Sequence, residues 1–344
     1  MEIVFFFCYT FHNPNEGSGL LMINIAIIGY GNLGRGVEQA IKQQTDMTLV
    51  GVFTRRDPQT VQTEGAPAFT LEEALKRKNE IDVCILCGGS ATDLPEQTPA
   101  FTAHFNTVDS FDTHAEIPNH FKRVDEIAQA NGTVSVISSG WDPGLFSLNR
   151  LYAQAILPQG ETQTFWGKGV SQGHSDALRR IEGISDATQY TIPNEDIIAR
   201  LRNGEKLELT TRDKHLRQCF IVLTEGADAE GITETIKTMP NYFADYDTEV
   251  TIISQEELNL HHKGMPHGGT VLHTGVTNGS TKQVIEYRLA LEHNAEFTAS
   301  VLVAYARAAA RLSSEGHQGA YTVFDIAPKY LSAASVESLR KELL

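Results

Sequence analysis

The residues most capable of chemistry begin with Gly29-Tyr30-Gly31-Asn32-Leu33-Gly34, which has the spacing GxGxxG. Glycines so placed permit a tight turn, close approach of a pyrophosphate and close helix–strand packing. The helix that follows turns its amide donors and positive dipole towards the phosphates. About twenty residues further on, where a dinucleotide enzyme selects its ribose, stand Thr54, Arg55 and Arg56. An NAD enzyme presents Asp or Glu there. Here no carboxylate occupies the position to repel a 2′-phosphate, and two guanidiniums can grip it through charge-assisted hydrogen bonds, so the pattern predicts NADP.

The elements that must position these residues alternate. Ile23–Ile28 is a β-branched run suited to a central strand buried on both faces, and a helix follows from Arg35 to about Gln43. Thr48–Phe53, Asp82–Cys87, Thr107–Asp109 and Thr133–Ile137 read as further strands, with helices over Leu71–Lys78 and His114–Ala130. In open α/β sheets, ligands sit outside the carboxyl ends of the strands. That rule brings Cys87-Gly88-Gly89-Ser90, Ser110-Phe111-Asp112 and Ser139-Gly140-Trp141-Asp142-Pro143 to the nicotinamide end.

After Gly144 the alternation stops. Polar clusters follow at uneven spacing around Trp166, Gln172-Gly173-His174, Thr191, Arg217 and His267, with Arg217–Leu223 and Glu249–Ile253 as strands of a mixed or antiparallel sheet. Ala295–Leu312 is a long Ala-rich helix without Gly or Pro, suited to packing back across the first half. The expected fold is α/β: a Rossmann-type doubly wound dinucleotide domain over 22–142, joined by about 292–344, and an α+β substrate-binding and dimerisation domain with a mixed sheet over 143–291. Taken singly, His267 in its glycine-rich loop is a turn hydrogen-bonder, and Trp141 and Trp166 are packing aromatics.

Other chemistries lack their motifs. Cys84 and Cys87 form a CxxC, but three residues apart on a strand they point to opposite faces and cannot easily share a ligand. There is no HExxH, no EF-hand loop and no paired CxxC. No metal site is expected, and the chemistry rests on the nicotinamide, with the protein supplying orientation and electrostatics.

Composition sets the class. Over 344 residues, 28 Lys+Arg against 43 Asp+Glu give a formal charge of −15, which repels nucleic-acid backbones. No apolar run approaches the roughly 18 residues of a membrane span, and four cysteines are too few for a disulfide framework. A cytoplasmic enzyme is expected. Residues 1–21 do not fit the rest: Glu2 stands where a signal peptide has basic residues, no small-x-small cleavage site follows, and the strand pattern starts just after Met22. Met22 is therefore the expected natural start, which makes the charge −13 over 323 residues with three cysteines.

The blocks GYGNLGRG, TRR, SATDLPEQ (90–97), SGWDPG, FWGKGVSQGHSDALRRI (165–181) and KGMPHGG (263–269) together resemble the meso-diaminopimelate D-dehydrogenase family, from Met22 to about Pro328. The resemblance implies a homodimer that carries out reversible NADP-dependent oxidative deamination of the D-centre of meso-2,6-diaminopimelate. The products are ammonia and L-2-amino-6-oxopimelate, which cyclises to tetrahydrodipicolinate on a route to lysine. Tyr30 to Leu33, Thr54 to Arg56, Cys87 to Ser90, Ser110 to Asp112 and Ser139 to Pro143 then fall on cofactor-contacting segments. Asp112, Asp142, Trp166, Gln172 and Gly173 correspond to the surroundings of the reacting centre. Thr191, Arg217, His267 and Asn294 correspond to the pocket for the distal L-centre, with Asp176 behind the site.

The chemistry of the substrate agrees. It carries a carboxylate and an ammonium at each end, so Arg217 can take one carboxylate bidentately while Asp112 and Asp142 hold ammonium groups. Asp112 or Asp142 is the expected proton-transfer group, with His174 as an outsider. Rival readings are a broader D-amino-acid dehydrogenase, dihydrodipicolinate reductase, a glucose–fructose-type sugar dehydrogenase and a non-catalytic NADP-sensing regulator. The sugar enzymes carry a Glu-Lys-Pro signature that is absent here. A regulator need not keep the polar blocks of the second half.

Overall fold

The computed structural model describes residues 22–344; the expectation that 1–21 is a non-native extension lies outside them. Seven parallel strands form the first sheet: β1 (Ile23–Ile28), β2 (Met47–Thr54), β3 (Ala68–Thr70), β4 (Val83–Leu86), β5 (Asn106–Val108), β6 (Val134–Val136) and, much later, β14 (Gly319–Tyr321). Their order is β14-β6-β5-β4-β1-β2-β3. The chain thus reverses direction between β1 and β4, the switch point at which doubly wound sheets bind ligands. The expected fifth strand proves to be the sixth, because the three-residue β3 is too short to show a period.

Each face of this sheet has its own core. Ile25, Ile27, Val83 and Ile85 pack with the helix Asn32–Lys42 and the long helix Asn294–Ser314. Ala26, Ile28, Cys84 and Leu86 pack on the other side with Ala74 and Leu94. Cys84 and Cys87 belong to opposite sides, as the spacing requires. The two helices on the first face cross closely at Gly36, where an added Cβ would stand 2.9 Å from that of Ala299. The long helix is also tied to the entrance of β2. Buried Arg307 donates to Asp46 at 2.6 and 2.7 Å and to Gln44 at 2.7 Å. Burial alone would raise the Asp46 pKa, but the hydrogen bonds and charge of Arg307 hold it below the usual carboxylate value.

The second half holds two sheets. β7 (Gly160–Trp166), β12 (His267–Thr277) and β13 (Thr281–Leu291) form an antiparallel sheet in the order β13-β12-β7. β8 (Gly169–Val170), β9 (Ile184–Pro193), β10 (His215–Leu223) and β11 (Asp247–Ile252) form a mixed one in the order β11-β10-β9-β8. A single mixed sheet is therefore an incomplete description of this half. The hairpin joining β12 to β13 turns at Asn278 (φ 51°) and Gly279 (φ 76°). Two central residues at positive φ are what a type I′ turn requires, and Asn-Gly is a dipeptide that adopts it readily.

Candidate functional site

The glycine turn leaves β1 at Gly29, whose φ of +93° disfavours a side chain. An added Cβ on Gly34 would lie 2.3 Å from the Gly29 carbonyl, so the turn closes only without one. Among the described residues nothing lies within 4 Å of the Cβ position of Gly31, and no side chain caps the helix that follows. The first-turn amides thus face open space into which a pyrophosphate fits. Tyr30 contributes only backbone here: its ring is buried in the core and its hydroxyl donates to Glu38 at 2.5 Å. Burial first, and then Glu38, push the Tyr30 pKa up to about 12.

Thr54, Arg55 and Arg56 follow at the end of β2. Arg56 Nη2 donates to the Tyr30 carbonyl at 2.6 Å, which holds its guanidinium beside the glycine turn. Arg55 is paired with Asp93 at 2.9 Å. The ribose-selecting position itself carries no carboxylate, as the sequence reads, but one is brought beside it from another element. Asp93 arrives from the turn after β4, a separation of 38 residues that local spacing does not reveal. A 2′-phosphate must compete with Asp93 for Arg55 but has Arg56 beside the turn. In the same turn, Gly89 N–H donates to Asp93 at 2.8 Å, and Ser90 Oγ accepts from the Asp112 amide at 2.8 Å.

Beyond this groove lies a cavity of about 540 Å³. It is lined by Asp112, Asp142, Trp166, Gln172, Gly173, Thr191, Arg217, His267 and Asn294, together with Ser110, Gly140, Trp141, Pro143 and His174. The loops after β5 and β6 thus meet β10 and the β7–β9 region of the second half. Gly29 to Gly34, Thr54 to Arg56 and Cys87 to Ser90 do not line it. They occupy the adjoining carboxyl ends of β1, β2 and β4. Phe111 and Ser139 are buried beneath the loops. Asp176 is not in the cavity either: its exposed carboxylate pairs with Arg179, one turn further along its helix.

The two candidate acids differ. Asp142 is almost enclosed; it accepts from Arg150 Nη2 at 2.5 Å and from the Trp166 indole N–H at 2.6 Å. The Asp112 carboxylate is exposed and has no hydrogen-bond or ion-pair partner among the described residues. Arg217 is buried, donates to the Thr191 hydroxyl and lies over the Tyr246 ring at 3.8 Å. Burial pushes its pKa below the usual guanidinium value, yet no carboxylate pairs with it among the described residues. A buried cation without a counter-charge is costly unless a ligand supplies one. Asn294 accepts from the Trp141 indole N–H at 2.8 Å. His267 Nδ1 accepts from the Gly268 amide at 2.8 Å, the turn contact expected of it, while its ring stays in the cavity wall.

Four neighbours escaped the sequence reading. Arg150 holds Asp142, Tyr246 backs Arg217, and His215 Nε2 accepts from the Trp166 amide at 2.9 Å with the two rings stacked at 5.5 Å. Met265 Sδ lies 3.0 Å from Gln172 Nε2 and 3.7 Å from Asn32 Nδ2, bridging the cavity wall to the glycine turn. Only the KGMPHGG block signalled one of these, Met265; the others act across strands or helices with no local motif.

Burial, with the charge of Arg217 adding to it, holds His174 down to about 4 and His215 down to about 3. Both are neutral at neutral pH. In the unfolded chain they protonate near pH 6.5, so stability is lost progressively as pH falls from there towards the folded values. Thermal midpoints measured from pH 7 to pH 4 are expected to fall, and His215→Gln, which keeps an acceptor for Trp166, to flatten the dependence. An unchanged slope in that variant would contradict the assignment.

A doubly wound sheet with an open glycine turn, joined to a polar cavity built by a second half, defines a dinucleotide-dependent oxidoreductase. Residues 140–293 match the model of the diaminopimelic acid dehydrogenase C-terminal domain. The chain is 60% identical over 323 residues to meso-diaminopimelate D-dehydrogenase of Lysinibacillus sphaericus, covering 94% of this chain and 99% of that one. It superposes on C. glutamicum DAP dehydrogenase in complex with DAP with a TM-score of 0.89 and 47% identity, covering 94% of this chain and 100% of that one. An engineered D-amino acid dehydrogenase bound to NADP+ matches with a TM-score of 0.83 and 46% identity, at the same coverages. The chain belongs to the meso-diaminopimelate D-dehydrogenase family.

Proposed function

We propose that this protein catalyses the reversible NADP-dependent oxidative deamination of the D-centre of meso-2,6-diaminopimelate, yielding L-2-amino-6-oxopimelate and ammonia in the formation of diaminopimelate and lysine. The observation that carries this reading is the cavity's charge layout: Arg217 is a buried cation with no carboxylate paired to it among the described residues, and Asp112 and Asp142 are carboxylates on the loops leaving the first sheet. A substrate with an amino-acid group at each end satisfies both. Arg217, Thr191, His267 and Asn294 take the distal carboxylate and its neighbours. Asp142, fixed by Arg150 and Trp166, and Asp112 hold the reacting ammonium, with Gln172 and Gly173 beside them.

Bound NADP supplies the hydride acceptor. Asp112 takes the proton that the ammonium must lose, Trp166 and Asp142 orient the α-carbon, and water attacks the substrate's imine carbon before ammonia leaves. Residues 22–142 with about 292–344 form the dinucleotide-binding unit, as the return of β14 to the first sheet supports. Residues 143–291 form the substrate-binding and dimerisation unit. A homodimer is supported by Leu151, Tyr152 and Ile156, exposed at 43%, 52% and 66% on the helix Leu145–Ile156. A cytoplasmic location is supported by Cys84, Cys87 and Cys219, all free. Among the described residues no helix is long and apolar enough to cross a membrane.

The test is NADPH formation at 340 nm with NADP and a panel of amino acids. Turnover of meso-diaminopimelate with little of simple D-amino acids is expected; no turnover of meso-diaminopimelate would sink the proposal. The cofactor assignment has its own measurement. Replacing Arg55 and Arg56 together with Ala is expected to weaken NADP binding by about 100-fold and NAD binding by only a few-fold. Equal losses for both cofactors would contradict it.

A further inference from the structure

A buried carboxylate outside the cavity touches both loops that carry the reacting end of the site. Asp109 follows β5 and is fully buried. One of its oxygens accepts from the amides of Phe111 at 3.0 Å and Ser138 at 2.9 Å. The other accepts from the Thr98 hydroxyl at 2.7 Å and lies 3.2 Å from His120 Nε2. Its carbonyl accepts from the Ser139 amide at 3.0 Å and from the Ser139 hydroxyl at 2.9 Å. A single residue therefore fixes the chain one position before Asp112 and four positions before Asp142.

We infer that Asp109 is a positioning residue for the dehydrogenation, setting the relative placement of the Ser110–Asp112 and Ser139–Asp142 loops, with His120 as its backing donor. The choice of residue fits the task. Two backbone N–H groups converging on one oxygen require an acceptor, and a buried carboxylate persists only when donors surround it. Ser138 is bent to a φ of 54°, a left-handed conformation that a serine rarely adopts. Its own hydroxyl is buried without a partner among the described residues, so the bend is held through its amide by Asp109 and not by its side chain. The Phe111 ring stacks on His120 at 4.2 Å, which seats the other loop against the same brace. Asp109 does not line the cavity, and its influence on the reaction passes through the two loops.

This inference rests on the placement of the reacting centre between Asp112 and Asp142, and its test separates the two. Wild-type turnover of meso-diaminopimelate, measured in the same assay, is the control for that placement. Asp109→Ala is then compared with it in kcat, in KM and in the dissociation constant for NADPH read by fluorescence. The expected result is a kcat lower by about 100-fold, because displacing reacting groups by about an ångström costs that much. NADPH binding should change by less than about fivefold, since the glycine turn and Arg56 are untouched. Asp109→Asn keeps one oxygen for the two amides and should recover kcat to within about fivefold of wild type. If Asp109→Ala does not fold, His120→Phe decides: it keeps the stacking and removes the donor, and kcat should fall about tenfold with NADPH affinity unchanged. An unchanged kcat in Asp109→Ala, or in His120→Phe where that variant decides, overturns the inference. So does a loss of NADPH binding parallel to the loss of kcat, which is the mark of a merely structural residue.

Discussion

Arg217→Met is expected to cut kcat/KM for meso-diaminopimelate by about 100- to 1,000-fold and, in the ligand-free protein, to raise the thermal midpoint. The two effects have one cause. Arg217 is buried beside Thr191 and Tyr246, with its Nε unpartnered and no carboxylate paired with it among the described residues. Holding an uncompensated cation there opposes folding, and an apolar side chain of similar length removes that cost. The same cation gives a ligand's distal carboxylate a place that water cannot match. A gain of about 1 kcal/mol in a protein of this size corresponds to about 1–2 °C. Discrimination against D-amino acids with neutral side chains should shrink in parallel, since they no longer leave a buried charge unpaired. Kinetics with meso-diaminopimelate and D-norleucine, together with calorimetry without ligand, read all three. A lowered melting point with intact turnover would assign Arg217 to the scaffold and not to the substrate.

That charge was visible in the sequence, but its isolation was not. An acidic chain makes its few cations conspicuous, and Arg55, Arg56 and Arg217 stood out for that reason. Whether a cation is free for a ligand depends on neighbours brought in by other elements. Asp93 lies 38 residues from Arg55 and pairs with it, whereas Arg217 receives the Tyr246 ring and, among the described residues, no carboxylate. Asp142 shows the converse: it reads as a free acid, yet Arg150, eight residues on along the next helix, already holds it.

The fold was legible where burial imposes a period. β1, β2 and β4 are largely apolar runs, broken only by Asn24, Thr48 and Thr54, because helices cover both their faces, and each ends at a glycine or polar turn that marks the ligand side. β3 and β14 span three residues each, too short for any pattern, and β14 joins a sheet completed nearly two hundred residues earlier. In the second half, β13 alternates between half-buried and exposed residues, but its inner positions include Gln283 and its outer ones Val284 and Ala290. Those exceptions blur the period towards the strand's ends, so it survives only over 285–289, where Ile285, Tyr287 and Leu289 face in and Glu286 and Arg288 face out, and the Asn278-Gly279 turn marks the hairpin.

The second large effect is expected at Asp112. Asp112→Asn should lower kcat by about 100- to 10,000-fold, the usual contribution of a positioned acid or base, with NADPH affinity little changed. Asp142→Asn should act mainly by raising KM. The difference follows from their partners. Asp142 has spent lone pairs on Arg150 and on the Trp166 indole, so a proton it accepted would have to disrupt that ion pair. Among the described residues the Asp112 carboxylate has no partner, and only its amide is engaged, by Ser90. It can therefore take a proton from the substrate ammonium and pass it to solvent, for its exposure gives water access. The ordered loop keeps it in place while it does so. In Asp112→Gly, added formate or acetate should restore part of the lost kcat by standing in for the missing carboxylate, and no such rescue is expected in Asp142→Gly. Retention of kcat within threefold in Asp112→Asn, combined with rescue at position 142, would reverse the two roles.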